Sequence, residues 1–389
     1  MLPSEARSIV EEVLRPLSLD DLFGAFDRHV LEAKGSANHA RIGILGADPQ
    51  QTVLDAFATY APKLRYHGVD PSLPAPKAEA VPDGDAFMAL IRRFHERDYT
   101  VRIPDVLPLS PALQRFARAL ECLLHQRVTA LLFWSKEGAK AITHYDNEDN
   151  IVIQLSGRKR WYVSSEPPLL PNDWERVGEA PPGLGQHKVY DVEPGDLLYI
   201  PRGTPHTVDS TSESLHVAIL FRPVTLRDAV IAALDQASDI DRSFRESAVK
   251  QVADSRDGAL SAKVVDALER LLAQCKSPGF VAQAMEHRSS RMIGGLPALP
   301  KPNAPLTLTP ASRIVHADLA LSHLFDSGGL LHFSVPGSRM GIHPGAEPAL
   351  RFIREHPSFR VGDIPGLGDE VRIALVERLA STGFLRVEG

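Results

Sequence analysis

Cysteine is nearly absent: Cys122 and Cys275 are the only two in 389 residues. That excludes a disulfide framework and a thiolate metal site, and both side chains are expected to be small buried apolar groups. Long apolar runs are missing as well; none approaches the ~20 residues a membrane-spanning helix needs. The opening Met1-Leu2-Pro3-Ser4-Glu5-Ala6-Arg7 carries an early acid and no apolar export signal, which makes a cytoplasmic location the default expectation. Nor is there an excess of positive charge. With 43 Lys plus Arg against 49 Asp plus Glu, the net charge of −6 argues against a broadly basic nucleic-acid surface. What is present is apolar content, 43% of the chain, enough for a large core and two or three domains.

The informative stretch runs from 144 to 206. It opens with His144-Tyr145-Asp146-Asn147-Glu148-Asp149-Asn150 and closes with Pro201-Arg202-Gly203-Thr204-Pro205-His206. In extended backbone, side chains alternate between faces, so His144 and Asp146 project to one side and Tyr145 to the other. His206 follows a tight Pro/Gly turn and opens a second strand-like stretch. Two neutral imidazoles and one carboxylate are the facial set that holds Fe(II) in non-heme oxygenases, with positions left open for a co-substrate and dioxygen. Zinc accepts the same donors, so the donor set by itself leaves the metal undecided. Spacing alone is also weak, because His316-Ala317-Asp318 repeats it, and that pair is assigned no role. The setting is more specific. Residues 150–155, a Ser156-Gly157 turn and residues 158–163 read as a hairpin in which Lys159, Trp161 and Val163 share the more apolar face. A buried ammonium is costly without an anion. A dicarboxylate such as 2-oxoglutarate would supply one, its keto-acid end on the metal and its distal carboxylate on Lys159; the plain alternative is a lysine reaching water from a strand end.

The run His144-Tyr145-Asp146, Asn150, Gln154, Gly157 and Lys159-Arg160 resembles, without a gap, the pattern of JmjC-type (cupin-fold) Fe(II)/2-oxoglutarate-dependent oxygenases. The likeness is to the branch holding the hypoxia-inducible-factor asparaginyl hydroxylase and the bacterial ribosomal oxygenases. Tyr190 through His206 resembles the second metal-binding segment of that family, and the match extends over roughly residues 128–222. The resemblance implies a double-stranded β-helix (jelly-roll) core, mainly β with flanking α, and iron held by His144, Asp146 and His206. It also implies that Lys159 anchors 2-oxoglutarate, with Asn150 beside the co-substrate. Where the asparaginyl enzyme has a threonine three residues before the first histidine, this chain has Ala141, and Thr143 is the nearer candidate for that contact.

Elsewhere the periodicities are coarser. Helices are expected over residues 4–14, 19–33, 85–98 and 111–126, and strands over 99–103 and 128–134, while 34–84 carries weak signals. Residues 166–188 read as a Pro/Gly-rich lid or substrate rim, with Trp174 as its apolar anchor. His216 interrupts an apolar strand and reads as a core or barrel-lining histidine. Four domains are expected: 1–224 catalytic; 225–292 helical, with a Val264, Val265, Leu268, Leu271, Leu272 stripe; 293–305 a Pro/Gly linker; and 306–389 a winged-helix-like module. In oxygenases of this kind the helices after the barrel form a homodimer interface, so a dimer is expected. From Asn303 onward eight Arg, no Lys and nine acidic residues disfavour nucleic acid for the last module, leaving peptide or subunit recognition.

The expected function is hydroxylation of a side chain of a protein or peptide, a ribosomal protein among the possibilities. A small molecule or natural-product precursor peptide is the second reading, and a non-catalytic cupin-like metal-binding protein the third.

Overall fold

Ten short strands carry the N-terminal half of the computed structural model, which describes residues 1–388 apart from 36, 69–80, 173–182, 250–251, 253–257 and 303–306. They are β1 (Leu31–Ala33), β2 (Arg65–His67), β3 (Thr100–Ile103), β4 (Val128–Ser135), β5 (Asp149–Ser156), β6 (Lys159–Ser164), β7 (His187–Val192), β8 (Leu197–Ile200), β9 (His206–Ser210) and β10 (Ser214–Phe221). Seven form one sheet in the order β1-β8-β5-β10-β4-β3-β2, and three form a second in the order β7-β6-β9. All pairs are antiparallel. Burial alternates along β3, as period-two patterning requires, while β5 and β8 are almost wholly buried. The inner faces of the two sheets enclose one space, to which β3, β4, β5, β6, β9 and β10 all contribute side chains. This is the double-stranded β-helix that the motifs implied.

The Ser156-Gly157 turn is a corner between sheets rather than a hairpin. β5 pairs with β8 and β10, whereas β6 pairs with β7 and β9. Gly157 turns the chain at φ +64°, and an added Cβ would lie 1.8 Å from the Glu213 carbonyl oxygen, so glycine is required by both conformation and space. The Gln154 side chain ties this corner, donating to the Ser156 carbonyl at 2.8 Å.

Helices Pro3–Leu14, Gly84–His95 and Pro111–Leu124 lie within a residue or three of expectation. Residues 19–33 differ. The helix stops at Ala25, Asp27 takes φ +57°, and β1 then pairs with β8, because the exposed edge of β8 supplies backbone partners a longer helix would leave unmet. Short helices occupy part of 34–84. Trp174 lies outside the described residues. Cys122 and Cys275 are half-buried, less enclosed than expected.

Contacts divide the chain into Pro3–Pro223 and a second unit comprising Val224–Gly389 with Met1–Leu2. In the second unit, helices Leu226–Ile240, Ala259–Cys275 and Phe280–Gly294 precede two three-stranded sheets. One contains β12 (His323–Ser327), β13 (Leu330–Val335) and β14 (Ser338–Ile342); the other contains β11 (Arg313–His316), β15 (Ser358–Arg360) and β16 (Leu385–Val387). Phe333, Leu350, Val376 and Phe384 form their common core. Residues 293–305 do not behave as a free linker where they are described: Ile293 and Gly294 end a helix, and Leu296 and Leu299 are buried. Of the stripe expected on Ala259–Cys275, only Leu271 is buried; Val264, Val265, Leu268 and Leu272 are exposed.

A candidate metal and co-substrate site in the barrel

His144 and His206 meet as a directly opposed antiparallel pair. The His144 N–H donates to the His206 carbonyl at 3.0 Å, and the His206 N–H donates back at 2.7 Å. His144 therefore sits in an isolated bridge, not in the regular strand that its spacing suggested. Sheet pairing sets the two ring centroids 4.4 Å apart. Asp146 follows on irregular backbone, and its carbonyl accepts from the Gly203 N–H at 2.7 Å, which clasps the Pro201–Pro205 turn onto the first segment. Asp146 Oδ1 lies 4.0 Å from His144 Nε2, and Oδ2 lies 3.7 Å from His206 Nε2. One donor atom from each residue falls within 4.8 Å of the other two, the only such group of three among the described residues.

The tautomers suit a cation. Nδ1 of His144 donates to the Ile142 carbonyl at 2.8 Å, and Nδ1 of His206 donates to the Thr204 carbonyl at 2.9 Å, because a carbonyl can only accept. Both Nε2 lone pairs are thereby left facing Asp146, the orientation that metal-binding imidazoles take from such partners. Burial first, and the neighbouring His144 second, lower the His206 pKa to about 4, which keeps the ring neutral near pH 7. Behind the turn, buried Asp149 accepts from the Tyr199 hydroxyl and from the Arg202 N–H at 3.0 Å, and the Arg202 guanidinium reaches Asp27 at 3.1 Å.

Lys159 is 2% exposed, so it does not reach water. Its ammonium donates to the Ser135 hydroxyl at 2.9 Å, and that hydroxyl lies 3.0 Å from Thr100 Oγ1. Burial alone lowers the Lys159 pKa to about 7, with no carboxylate among its influences. A buried ammonium of this kind favours an anionic partner. Lys159, Ser135, Thr100 and the three metal-type donors all line one cavity of about 440 Å³, within the range of small-molecule sites. Asn150 lines it too, with a buried Oδ1 that finds no partner among the described residues. His216 lines it as a barrel histidine, stacked on Phe133 at 5.0 Å and held well below its usual pKa by burial and then by Lys159.

Thr143 is not among the lining residues. His144 faces the cavity, and alternation along extended backbone turns its neighbour away. Ser135 takes the hydroxyl position beside the lysine instead. Sequence reasoning missed it by ending the strand at Trp134; the signal was a small polar residue at the end of an otherwise apolar run. Thr100 and Arg102 were also missed, because alternation in residues 99–103 puts them on the polar face, which would ordinarily meet water.

Comparison with known proteins finds a match over the segment that holds the three metal-type donors and Lys159. The sequence profile of the JmjC domain matches residues 107–229. The chain carries a JmjC domain. Ribosomal oxygenase 2 of Rattus norvegicus is 31% identical over 142 residues, which cover 35% of this chain and 30% of that protein. Ribosomal oxygenase 1 of the same organism is 24% identical over 358 residues, covering 78% of this chain and 60% of that protein. In these matches the chain spans from 30% to 60% of the relatives' own length. The Escherichia coli ribosomal oxygenase YcfD superposes over 96% of this chain and 98% of its own, with a TM-score of 0.52 at 16% identity, which extends the likeness of fold beyond the JmjC domain. Another structure of YcfD, in complex with cobalt and 2-oxoglutarate, matches with the same TM-score at 17% identity.

Proposed function

We propose that this protein is an Fe(II)- and 2-oxoglutarate-dependent oxygenase that hydroxylates a side chain of a protein, a ribosomal protein being the candidate substrate. The observation that carries the reading is one cavity holding two Nε2-facing imidazoles, a carboxylate and a buried, acid-free lysine. The donor set fits a divalent ion with open positions, and Lys159 fits the far carboxylate of a dicarboxylic keto acid. Bound iron would supply oxygen activation, with the keto acid as two-electron donor. His144, Asp146 and His206 would hold it, and the backbone carbonyls of Ile142 and Thr204 would keep the rings oriented. Lys159 would anchor the co-substrate, Ser135 and Thr100 would orient the ammonium, and the apolar walls from Leu131, Phe133, Trp161, Ala218 and Leu220 would exclude water. Support for a protein substrate comes from the ribosomal oxygenases it is similar to. A cytoplasmic location accords with such a substrate.

Purified protein given Fe(II), ascorbate and 2-oxoglutarate is expected to form succinate. His206→Ala is expected to lose metal binding and turnover together. Absence of both succinate and metal binding in the unaltered protein would sink the reading.

Two further parts belong to it. Exposed Leu226, Val230 and Leu234 on one helix and Val264, Val265, Leu268 and Leu272 on another form apolar faces of the sort that subunits cover, and we read them as a homodimer interface. The module from 306 onward, with its helices Glu347–Glu355 and Asp369–Ala380 and its small sheets, is read as a winged-helix-like peptide-recognition unit.

A further inference from the structure

The cavity holds a second, half-buried cation that the metal and the keto acid leave unused. Arg102 on β3 lies next in register to Phe133 on β4, which opposes His216 on β10, so all three share the inner face of the seven-stranded sheet. Arg102, Phe133 and His216 line the cavity with Lys159 and the metal-type donors. On its other side Arg102 is directly paired with Arg65 on β2. Two guanidinium groups facing each other across an antiparallel ladder repel, and sheets ordinarily avoid that arrangement. Arg65 relieves its own charge on the Leu64 and Lys63 carbonyls, at 3.0 and 3.4 Å. Arg102 has no such relief: its buried Nε finds no acceptor among the described residues. Burial and the Arg65 charge both work against its protonated form, and the one acid that favours it is Asp146, which the proposed iron would claim.

Formal charge makes the same point. A divalent ion, protonated Lys159 and Arg102 together outweigh Asp146 and a dianionic keto acid by one positive charge, and a partly dry cavity leaves such a surplus costly until an anion meets it. The substrate is the only component left to bring it.

We propose that Arg102 is the anchor for a carboxylate of the primary substrate, supplied by an Asp or Glu side chain of the peptide segment that enters the cavity. This rests on the oxygenase reading above and specifies its substrate class. The pairing is a two-pronged guanidinium–carboxylate contact from β3, one strand in from the β2 edge and separate from the Lys159 subsite. His67, which lines the same part of the cavity 6.1 Å from the Phe133 ring, would pack beside the incoming segment. The same surplus charge rejects a substrate that presents lysine or arginine there.

The test is retention of a randomised peptide library on immobilised full-length protein loaded with cobalt and 2-oxoglutarate, with the retained sequences counted. The unaltered protein is expected to enrich Asp and Glu over Asn and Gln at one position by about tenfold, the effect of one charge-assisted hydrogen bond. Arg102→Gln is expected to abolish that preference and Arg102→Glu to turn it towards Lys and Arg, while the Kd for 2-oxoglutarate, read on the same samples, stays within about twofold. Retention without acidic enrichment, or enrichment that survives in Arg102→Gln, overturns the assignment. So does a loss of 2-oxoglutarate affinity in Arg102→Gln, which would make Arg102 a co-substrate contact. Failure of the unaltered protein to bind 2-oxoglutarate at all would overturn the oxygenase reading with it.

Discussion

Lys159 destabilises the free protein in order to serve the bound one. Its ammonium is buried against Ser135 with burial as the sole influence on its pKa, about 7 in the fold against an ordinary 10.5. Between those values the unfolded chain holds the extra proton, so this group makes the metal-free, co-substrate-free protein more stable as pH rises from 7 to 10.5. Lys159→Met removes that penalty. The variant is expected to raise the melting temperature of the free protein at pH 7 by about 5 °C or more, and to weaken 2-oxoglutarate binding by at least about 100-fold. Thermal melts with and without 2-oxoglutarate check both, and a variant that melts lower than its parent would refute the account. A bound carboxylate needs the charged ammonium, so binding takes up a proton above pH 7. The 2-oxoglutarate Kd, measured by calorimetry, is expected to rise by up to about tenfold for each pH step above 7, and a flat profile to pH 9 would show that the lysine is not the anchor.

The element that places Lys159 is the corner between β5 and β6. Gly157 makes it, at φ +64° with the Glu213 carbonyl pressed against its Cα. Gly157→Ala is expected to cost roughly 3 kcal/mol or more, since left-handed strain adds to a backbone overlap, and to lower 2-oxoglutarate affinity by shifting β6. Gly138 is the comparison: its φ is +78° but a Cβ there meets nothing within 4 Å, so Gly138→Ala should cost only about 1–2 kcal/mol. Equal losses in the two variants, read by denaturant unfolding, would show that the close approach to Glu213 does not matter. Sequence marked this turn correctly as a turn. It could not say that the two flanking strands enter different sheets, because a Ser-Gly turn serves a hairpin and a corner alike.

At the scale of the whole molecule, apolar surface left open on helices Leu226–Ile240 and Ala259–Cys275 is expected to be covered in solution. Light scattering should give twice the 42.5 kDa chain mass, and the double variant Val265→Glu, Leu268→Glu should give the single chain with metal binding intact. A monomer in the unaltered protein would leave those faces unexplained. The sequence by itself determined the donor types, the order of the two metal segments, the lysine fifteen residues after the first histidine and most helices. Those are properties of neighbouring residues: coordination chemistry is written in side-chain identity and helical burial in three- and four-residue steps. Only the tertiary structure decided that His144 lies opposite His206, that Ser135 and Thr100 stand beside Lys159 while Thr143 turns away, and that Arg102 points inward. Each depends on which distant strand lies alongside, and strand pairing leaves no mark in the local sequence because backbone hydrogen bonds are the same whatever side chains they carry.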